Sequence, residues 1–289
     1  MPAPILIAGP TASGKTALAL DMAERHGGAI INADSMQVYR ELRVLTARPT
    51  PEEEARAPHH LFGHVSVTDA YSVGRWVADV EAALAACRDV GRRPIIVGGT
   101  GLYFKALLEG LAPVPTVAAD VRAHWRREAE SRRPGVLHGI LAGRDPEMAA
   151  RLKPADLQRI VRALEVLDST SVSLADWQRV RSVPLIRQAE AECYVILRDR
   201  EVVRARCDVR FDAMVASGAL EEAQALAALD LDPALPAARA HGLRALQAYL
   251  RGEVDLETAI AAGKLETRQY VKRQETWLRR HMIAWKHIL

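Results

Sequence analysis

Three short runs along the first hundred residues are apolar at every position: Ile5-Leu6-Ile7-Ala8, Ala29-Ile30-Ile31 and Pro94-Ile95-Ile96-Val97. A strand with one wet face alternates, whereas a strand buried on both faces of a parallel sheet reads as a continuous apolar run. Between these runs the apolar positions recur at helical spacing. A helix is predicted from about Gly14 to Arg25, stopping at Gly27-Gly28. Ser72 is placed to cap a second one carrying Val73, Trp76, Val77, Val80, Leu84 and Cys87 near the 3.6-residue period. Strands alternating with helices predict βαβ units and a parallel sheet covered on both faces. After Pro113 and Pro115 the pattern turns helical and charged, with no convincing strand before Tyr194-Val195-Ile196-Leu197. Asp199 then stands as a cap for a long helix through Met214 and Val215, and helices continue to about residue 281. The expected organisation is an α/β core built from residues 1–116 and 191–289, with a helical insertion over 117–190.

Composition narrows this only slightly. Of 289 residues, 49% are hydrophobic and 26% charged, which excludes intrinsic disorder as the main state. The net charge of +3 neither demands nor excludes a nucleic-acid partner. The balance is uneven, however. From Lys264 onward, seven basic residues (Lys264, Arg268, Lys272, Arg273, Arg279, Arg280, Lys286) face two acidic ones (Glu266, Glu275), a local +5. Arg268, Lys272 and Arg279 fall on one helix face, and such a run is either a solvated surface or a grip on phosphates. Cys87, Cys193 and Cys207 form no C-x-x-C pair, so zinc-site spacing is absent and reduced thiols are expected. Pro4 to Ala8 is strand length, too short for a signal peptide or a membrane span. A cytoplasmic protein with no membrane partner is expected.

The chemistry begins at Gly9-Pro10-Thr11-Ala12-Ser13-Gly14-Lys15-Thr16, a full G-x-x-x-x-G-K-[ST] match between a predicted strand and a predicted helix. Glycines let successive N–H groups point at a phosphate, and the helix N-terminus adds positive partial charge. Lys15 supplies a full charge, and Thr16 a hydroxyl for Mg²⁺. The loop does not say which phosphate. ATP is the default, yet no apolar strand ends in the acid that would hold Mg²⁺ for a motor ATPase. Ile95-Ile96-Val97 runs into Gly98-Gly99-Thr100-Gly101 instead. Asp34, after the second strand, is the only acid at a strand end in this half. Strand ends are where a parallel sheet gathers its functional residues, so Asp34 and Thr100 both point to the phosphate-loop crevice. Read blandly, they are a helix cap and a turn hydroxyl.

The joint order of GPTASGKT (9–16), INADSMQVYR (31–40), TARP (46–49), VGGTGLYFKALLEGL (97–111), QRIVRALEV (158–166), RFDAMVASG (210–218) and TRQYVKRQETWLR (267–279) resembles the tRNA dimethylallyltransferase (tRNA isopentenyltransferase) family over nearly the whole chain. The resemblance implies a P-loop NTPase-like fold with a small helical insertion. It also implies transfer of a dimethylallyl group from dimethylallyl diphosphate to N6 of an adenosine beside the tRNA anticodon. On that reading the loop from Gly9 to Thr16 holds the donor's diphosphate rather than a nucleotide, with Mg²⁺ on Thr16. Asp34 is the implied base, Thr100 positions the same region, and Lys15 with Arg210 stabilises the leaving group. The implied contacts to the tRNA anticodon stem-loop include Asp34, Ser35, Met36, Gln37 and Thr100. In the insertion they are Arg122, Gln158, Arg159, Ile160, Val161 and Arg162. Towards the C-terminus they are Arg239, Arg244, Lys272, Arg273, Gln274, Thr276, Trp277 and Arg279. Gln274 interrupts an apolar stripe of Tyr270, Val271, Trp277 and Leu278, so it needs a partner within the protein or on a base edge. The insertion is expected to close over the anticodon loop, and the protein to be a monomer of the compact bacterial type.

Three positions depart from the family's usual pattern. Leu45 precedes Thr46 where a glycine is common, Gly63 stands where an acid is common, and Leu243 replaces an aromatic. Other readings stay open on sequence alone. One is a small-molecule kinase using ATP at the phosphate loop, another an adenylate dimethylallyltransferase acting on free nucleotide. A third is a P-loop RNA-binding module without chemistry.

Overall fold

Strand β1 (Ile5–Ala8) runs straight into the phosphate loop, and helix α1 (Lys15–His26) leaves it. The computed structural model describes residues 2–288, and in it the chain divides into two compact units. The first unit, Met1–Leu108 with Leu185–Leu289, continues through β2 (Gly28–Asn32), α2 (Pro51–Arg56), β3 (His59–His60), α3 (Val73–Asp89), β4 (Arg93–Gly98) and α4 (Gly101–Glu109). The second unit, Glu109–Pro184, is built from α5 (Ala119–Ser131), α6 (Pro134–Arg144), α7 (Pro146–Arg151), α8 (Leu157–Thr170) and α9 (Leu174–Trp177). The first unit resumes with β5 (Glu192–Ile196), α10 (Arg200–Ala216), α11 (Ala219–Ala227), α12 (Leu243–Leu250), α13 (Leu256–His281) and β6 (Lys286–Ile288).

The sheet is six-stranded, parallel throughout, in the order β3-β2-β4-β1-β5-β6. The uninterrupted apolar runs have the cause expected of them. Leu6, Ala8, Ile31 and Ile96 join one buried cluster with Trp76, Val80 and Leu84 of α3. The alternate residues Ile5, Ile7, Ile30, Ile95 and Val97 join another with Ala19, Leu20 and Ala23 of α1. Successive side chains of a strand point to opposite faces, so both faces of this sheet are dry. Ser72 caps α3 by accepting the Arg75 N–H, and Asp199 caps α10 by accepting the Glu201 N–H.

Two strands escape the sequence pattern. β3 is only two residues, and β6 (Lys-His-Ile) carries two exposed polar side chains. Edge strands this short leave no alternation to read. The helical unit has its own core, around Trp125, Leu137, Leu141, Ile160 and Leu164. Among the described residues no helix is long and apolar enough to cross a membrane.

Candidate active site

The phosphate loop adopts the bend its sequence dictates. Gly14 has φ 95° and Ala12 φ 62°, both left-handed. For alanine that conformation costs about 1–2 kcal/mol, a strain usually retained at functional sites. Three contacts hold the loop in place. Arg198 Nε donates to Ser13 O at 2.8 Å, Lys15 Nζ to Pro10 O at 3.3 Å, and the Thr11 N–H to Gln274 Oε1 at 2.9 Å. The Ser13 hydroxyl is buried with no hydrogen-bond partner among the described residues.

Asp34 sits two residues beyond the C-terminal end of β2 and is 7% exposed. Its backbone is fixed by Asn32, whose Oδ1 accepts the Asp34 N–H at 2.8 Å and whose Nδ2 donates to Asp34 O at 2.9 Å. Asp34 Oδ1 accepts the Met36 N–H at 3.0 Å. Thr100 follows β4. Its N–H donates to Ala33 O at 3.1 Å and its Oγ1 accepts the Ser35 N–H at 2.9 Å, so the ends of β2 and β4 are tied together. Asp34 and Thr100 come together, but only Asp34 lines the cleft at the phosphate loop; Thr100 stands behind it and grips the Asp34 turn.

One cleft collects these parts. Thr11, Lys15 and Asp34 line it together with Arg210 of α10, and its apolar walls come from Met36, Leu45, Phe211, Met214 and Ala240. Gln37, Thr46, Cys207, His241, Thr267 and Tyr270 complete it. Positions 207, 210, 211 and 214 fall on one face of α10, and that spacing is the signal that could have found Cys207, Phe211 and Met214. Tyr270 belongs to the apolar stripe of α13, yet it lines the cleft with its ring tilted against His241 at 4.3 Å. Burial lowers His241 below the usual imidazole range and raises the Tyr270 hydroxyl, so both are neutral at physiological pH.

Lys15 is the electrostatic centre. Burial pulls its ammonium down to about 8; Asp34 counters this, and Arg210 adds to it. Arg210 is lowered chiefly by burial as well. Lys15 is therefore charged below about pH 8 and neutral above it. A diphosphate needs the charged form. Pyrophosphate affinity is expected to fall as pH rises from 7.5 to 9.5, measured by calorimetry, while Lys15→Met binds weakly with no such fall. A flat profile in the parent protein would contradict this assignment.

The other expected contacts divide. Lys272, Arg273 and Arg279 are exposed on α13 and Arg239 and Arg244 lie on the surface nearby, where Arg239, Arg244 and Arg273 border one open cleft with His241 and Gln269. Thr276 is exposed and its hydroxyl donates to Lys272 O at 2.8 Å. Gln37 donates its amide to Thr46 O and Ala47 O, both at 2.9 Å. In the helical unit, Gln158 and Arg159 are exposed on α8, while Arg122 and Arg162 are half-buried.

Several expectations need correction. The Ile160 side chain is fully buried in the helical unit's core, and Val161 packs against that core, so neither side chain is presented as a contact. Gln274 is 5% exposed, and its amide is committed within the protein: Oε1 to the Thr11 N–H and Nε2 to Gly99 O at 3.0 Å. Trp277 is half-buried and packs where a side chain on Gly101 would stand, as Gln274 does at Gly99. The glycines after β4 thus make room for α13. The basic run is also smaller than its count. Lys264 pairs with Asp212 at 2.7 Å and Arg268 with Asp208 at 2.8 Å, both acids on α10. That leaves Lys272, Arg273, Arg279 and Arg280 as the exposed basic set on the helix.

Comparison with known proteins agrees with this architecture. A family model described as IPP transferase matches residues 37–281, and one described as isopentenyl transferase matches residues 3–59. The tRNA dimethylallyltransferases of Parvibaculum lavamentivorans and Azorhizobium caulinodans are each 55% identical to the chain, over 98% of its length and 89% and 91% of theirs. The crystal structure of the full-length tRNA isopentenylpyrophosphate transferase from Bacillus halodurans superposes with a TM-score of 0.69 at 31% identity, covering 100% of this chain and 90% of that one. A eukaryotic dimethylallyltransferase captured acting on tRNA reaches 0.82 at 27% identity, over 98% of this chain and 71% of its own. The match runs through the phosphate loop, the cleft and the last long helix alike, and the chain belongs to the IPP transferase family, that of the tRNA dimethylallyltransferases.

Proposed function

We propose that the protein transfers the dimethylallyl group of dimethylallyl diphosphate to N6 of an adenosine next to the tRNA anticodon. The observation that carries this reading is the composition of one cleft: cations at the phosphate loop, a buried carboxylate, and an apolar wall. A phosphorylated donor with a hydrocarbon tail matches all three.

The step moves few atoms. A bond forms between N6 and the allylic carbon, and the bond from that carbon to the diphosphate oxygen breaks. The electron pair leaves with the diphosphate, and the N6 proton passes to Asp34. N6 is a poor nucleophile because its lone pair delocalises into the ring, so a carboxylate that orients it and takes its proton is worth a large factor. Lys15, Arg210 and the loop N–H groups stabilise the charge growing on the leaving group. Thr100 acts by holding the Asp34 turn.

Mg²⁺ fits the donor set in one way. Thr16 places a hydroxyl in the first turn of α1, and among the described residues no cluster of three His, Cys, Asp or Glu side chains could hold a metal. The ion would therefore sit on Thr16 and take its remaining oxygens from diphosphate and water, as Mg²⁺ commonly does. Bound there, it supplies charge neutralisation for the leaving diphosphate.

The exposed cations of α13 and α12 are the grip on RNA. If about four of them meet phosphates, the plot of log affinity for tRNA against log salt should have a slope of roughly −3. A slope near zero would remove that role. The function itself is tested by pyrophosphate release. The protein with dimethylallyl diphosphate and Mg²⁺ should release pyrophosphate only when unmodified tRNA is added. Release that is independent of tRNA, or seen with ATP instead, overturns the reading.

A further inference from the structure

Leu45 lines the cleft, and the run of α10 along the cleft indicates at which end. The helix begins beside the loop: Arg198, just before it, bonds Ser13 O, and Val203 and Cys207 cluster with Val271 against Ala12. Arg210 and Phe211 come next and Met214 follows; all three line the cleft. Beyond the helix end, Gly218 lies beside Val44, whose Cγ2 would be 3.9 Å from a Cβ there. At 1.5 Å per residue, Met214 is about 6 Å further along the axis than Arg210. That rise is of the order of one isoprene unit, and the contact of Val44 with Gly218 puts its neighbour Leu45 towards that far end. It is 6% exposed and belongs to the same buried apolar cluster against which Met36, Val44 and Met214 pack.

The backbone carrying Leu45 is unusually well held. Glu222 of α11 accepts three successive backbone N–H groups: Arg43 and Val44 at Oε2, both at 2.8 Å, and Leu45 at Oε1, at 2.9 Å. Gln37 holds the next two carbonyls, Thr46 and Ala47. Hydrogen bonds to a charged acceptor are roughly twice as strong as neutral ones, so this turn does not swing aside.

We propose that Leu45, clamped by Glu222, is the chain-length stop of the donor site, admitting a single isoprene unit and excluding a ten-carbon chain. This rests on the prenyl-transfer reading. Leu45 acts by contact with the donor tail, and Glu222 is a positioning residue.

The test compares kcat/KM for dimethylallyl and geranyl diphosphates, with tRNA as acceptor, in the parent protein and in Leu45→Ala, Leu45→Met and Glu222→Gln. The parent is expected to prefer the short donor at least a hundredfold. Leu45→Ala should raise the geranyl-to-dimethylallyl ratio tenfold or more, chiefly through the geranyl term. Leu45→Met, which keeps the volume, should retain the preference. Glu222→Gln replaces one acceptor oxygen by a donor nitrogen and should shift the ratio in the same direction, by less. If Leu45→Ala folds poorly, Leu45→Val gives the same comparison with a smaller shift. Equal losses for both donors, with the ratio unchanged within twofold, would make Leu45 merely structural and overturn the proposal. A parent protein that uses neither donor would overturn the transferase reading itself.

Discussion

Replacing Asp34 with alanine should slow single-turnover prenyl transfer by roughly a hundredfold or more, the usual loss on removing a general base, with little change in tRNA affinity. The expectation follows from how the residue is held. Asp34 is nearly fully buried, and its backbone is clamped on both sides by the Asn32 amide, which also bonds Leu61 O at 3.0 Å. Trp76 Nε1 in turn donates to Asn32 O at 2.9 Å. A carboxylate fixed this firmly beside Lys15 and Arg210 is pre-organised for one geometry. Asp34→Asn is the sharper variant, because it keeps the shape and the acceptor for the Met36 N–H and removes only the basicity. It should lose nearly as much rate as the alanine variant. Equal losses of rate and affinity would make Asp34 a binding residue instead.

Gln274→Leu should cost the protein stability and donor binding together. The substitution leaves two groups without partners, the Thr11 N–H of the phosphate loop and the Gly99 carbonyl after β4. Each orphaned buried group costs about 1–3 kcal/mol. Taken together, a fall in Tm of roughly 5–15 °C is expected by scanning calorimetry. Pyrophosphate binding should weaken as well, since Thr11 lines the cleft. An unchanged Tm with weaker tRNA binding would return Gln274 to the role of a base reader.

The difference between those two residues shows what the sequence carried. The sheet core was legible because burial on both faces forces continuous apolar runs, and the phosphate loop because its geometry demands glycines at fixed places. Asp34 and Thr100 were legible from the rule that parallel strands gather function at one edge. Gln274 was legible only as a polar residue that needed a partner; which partner depended on contacts 263 and 175 residues away. Ile160 followed a motif match that says nothing about which way a helix faces. The charge of the last helix was overcounted because Asp208 and Asp212, which neutralise part of it, lie on another helix. Leu45 stood out only as a leucine where the family commonly has glycine, with nothing to say that it lines a cleft, and Glu222 carried no local signal, since it holds a turn some 180 residues away, at Arg43, Val44 and Leu45.

In the proposed reaction one cleft joins an allylic diphosphate to an adenine amine. The most direct measurement is nucleoside analysis by mass spectrometry of unmodified tRNA incubated with the protein, dimethylallyl diphosphate and Mg²⁺. The predicted result is a single adenosine beside the anticodon carrying one dimethylallyl group on N6, formed in step with pyrophosphate and roughly a hundredfold more slowly with Asp34→Asn. Unaltered adenosine, or a modified nucleoside whose added group is not on N6, would contradict it.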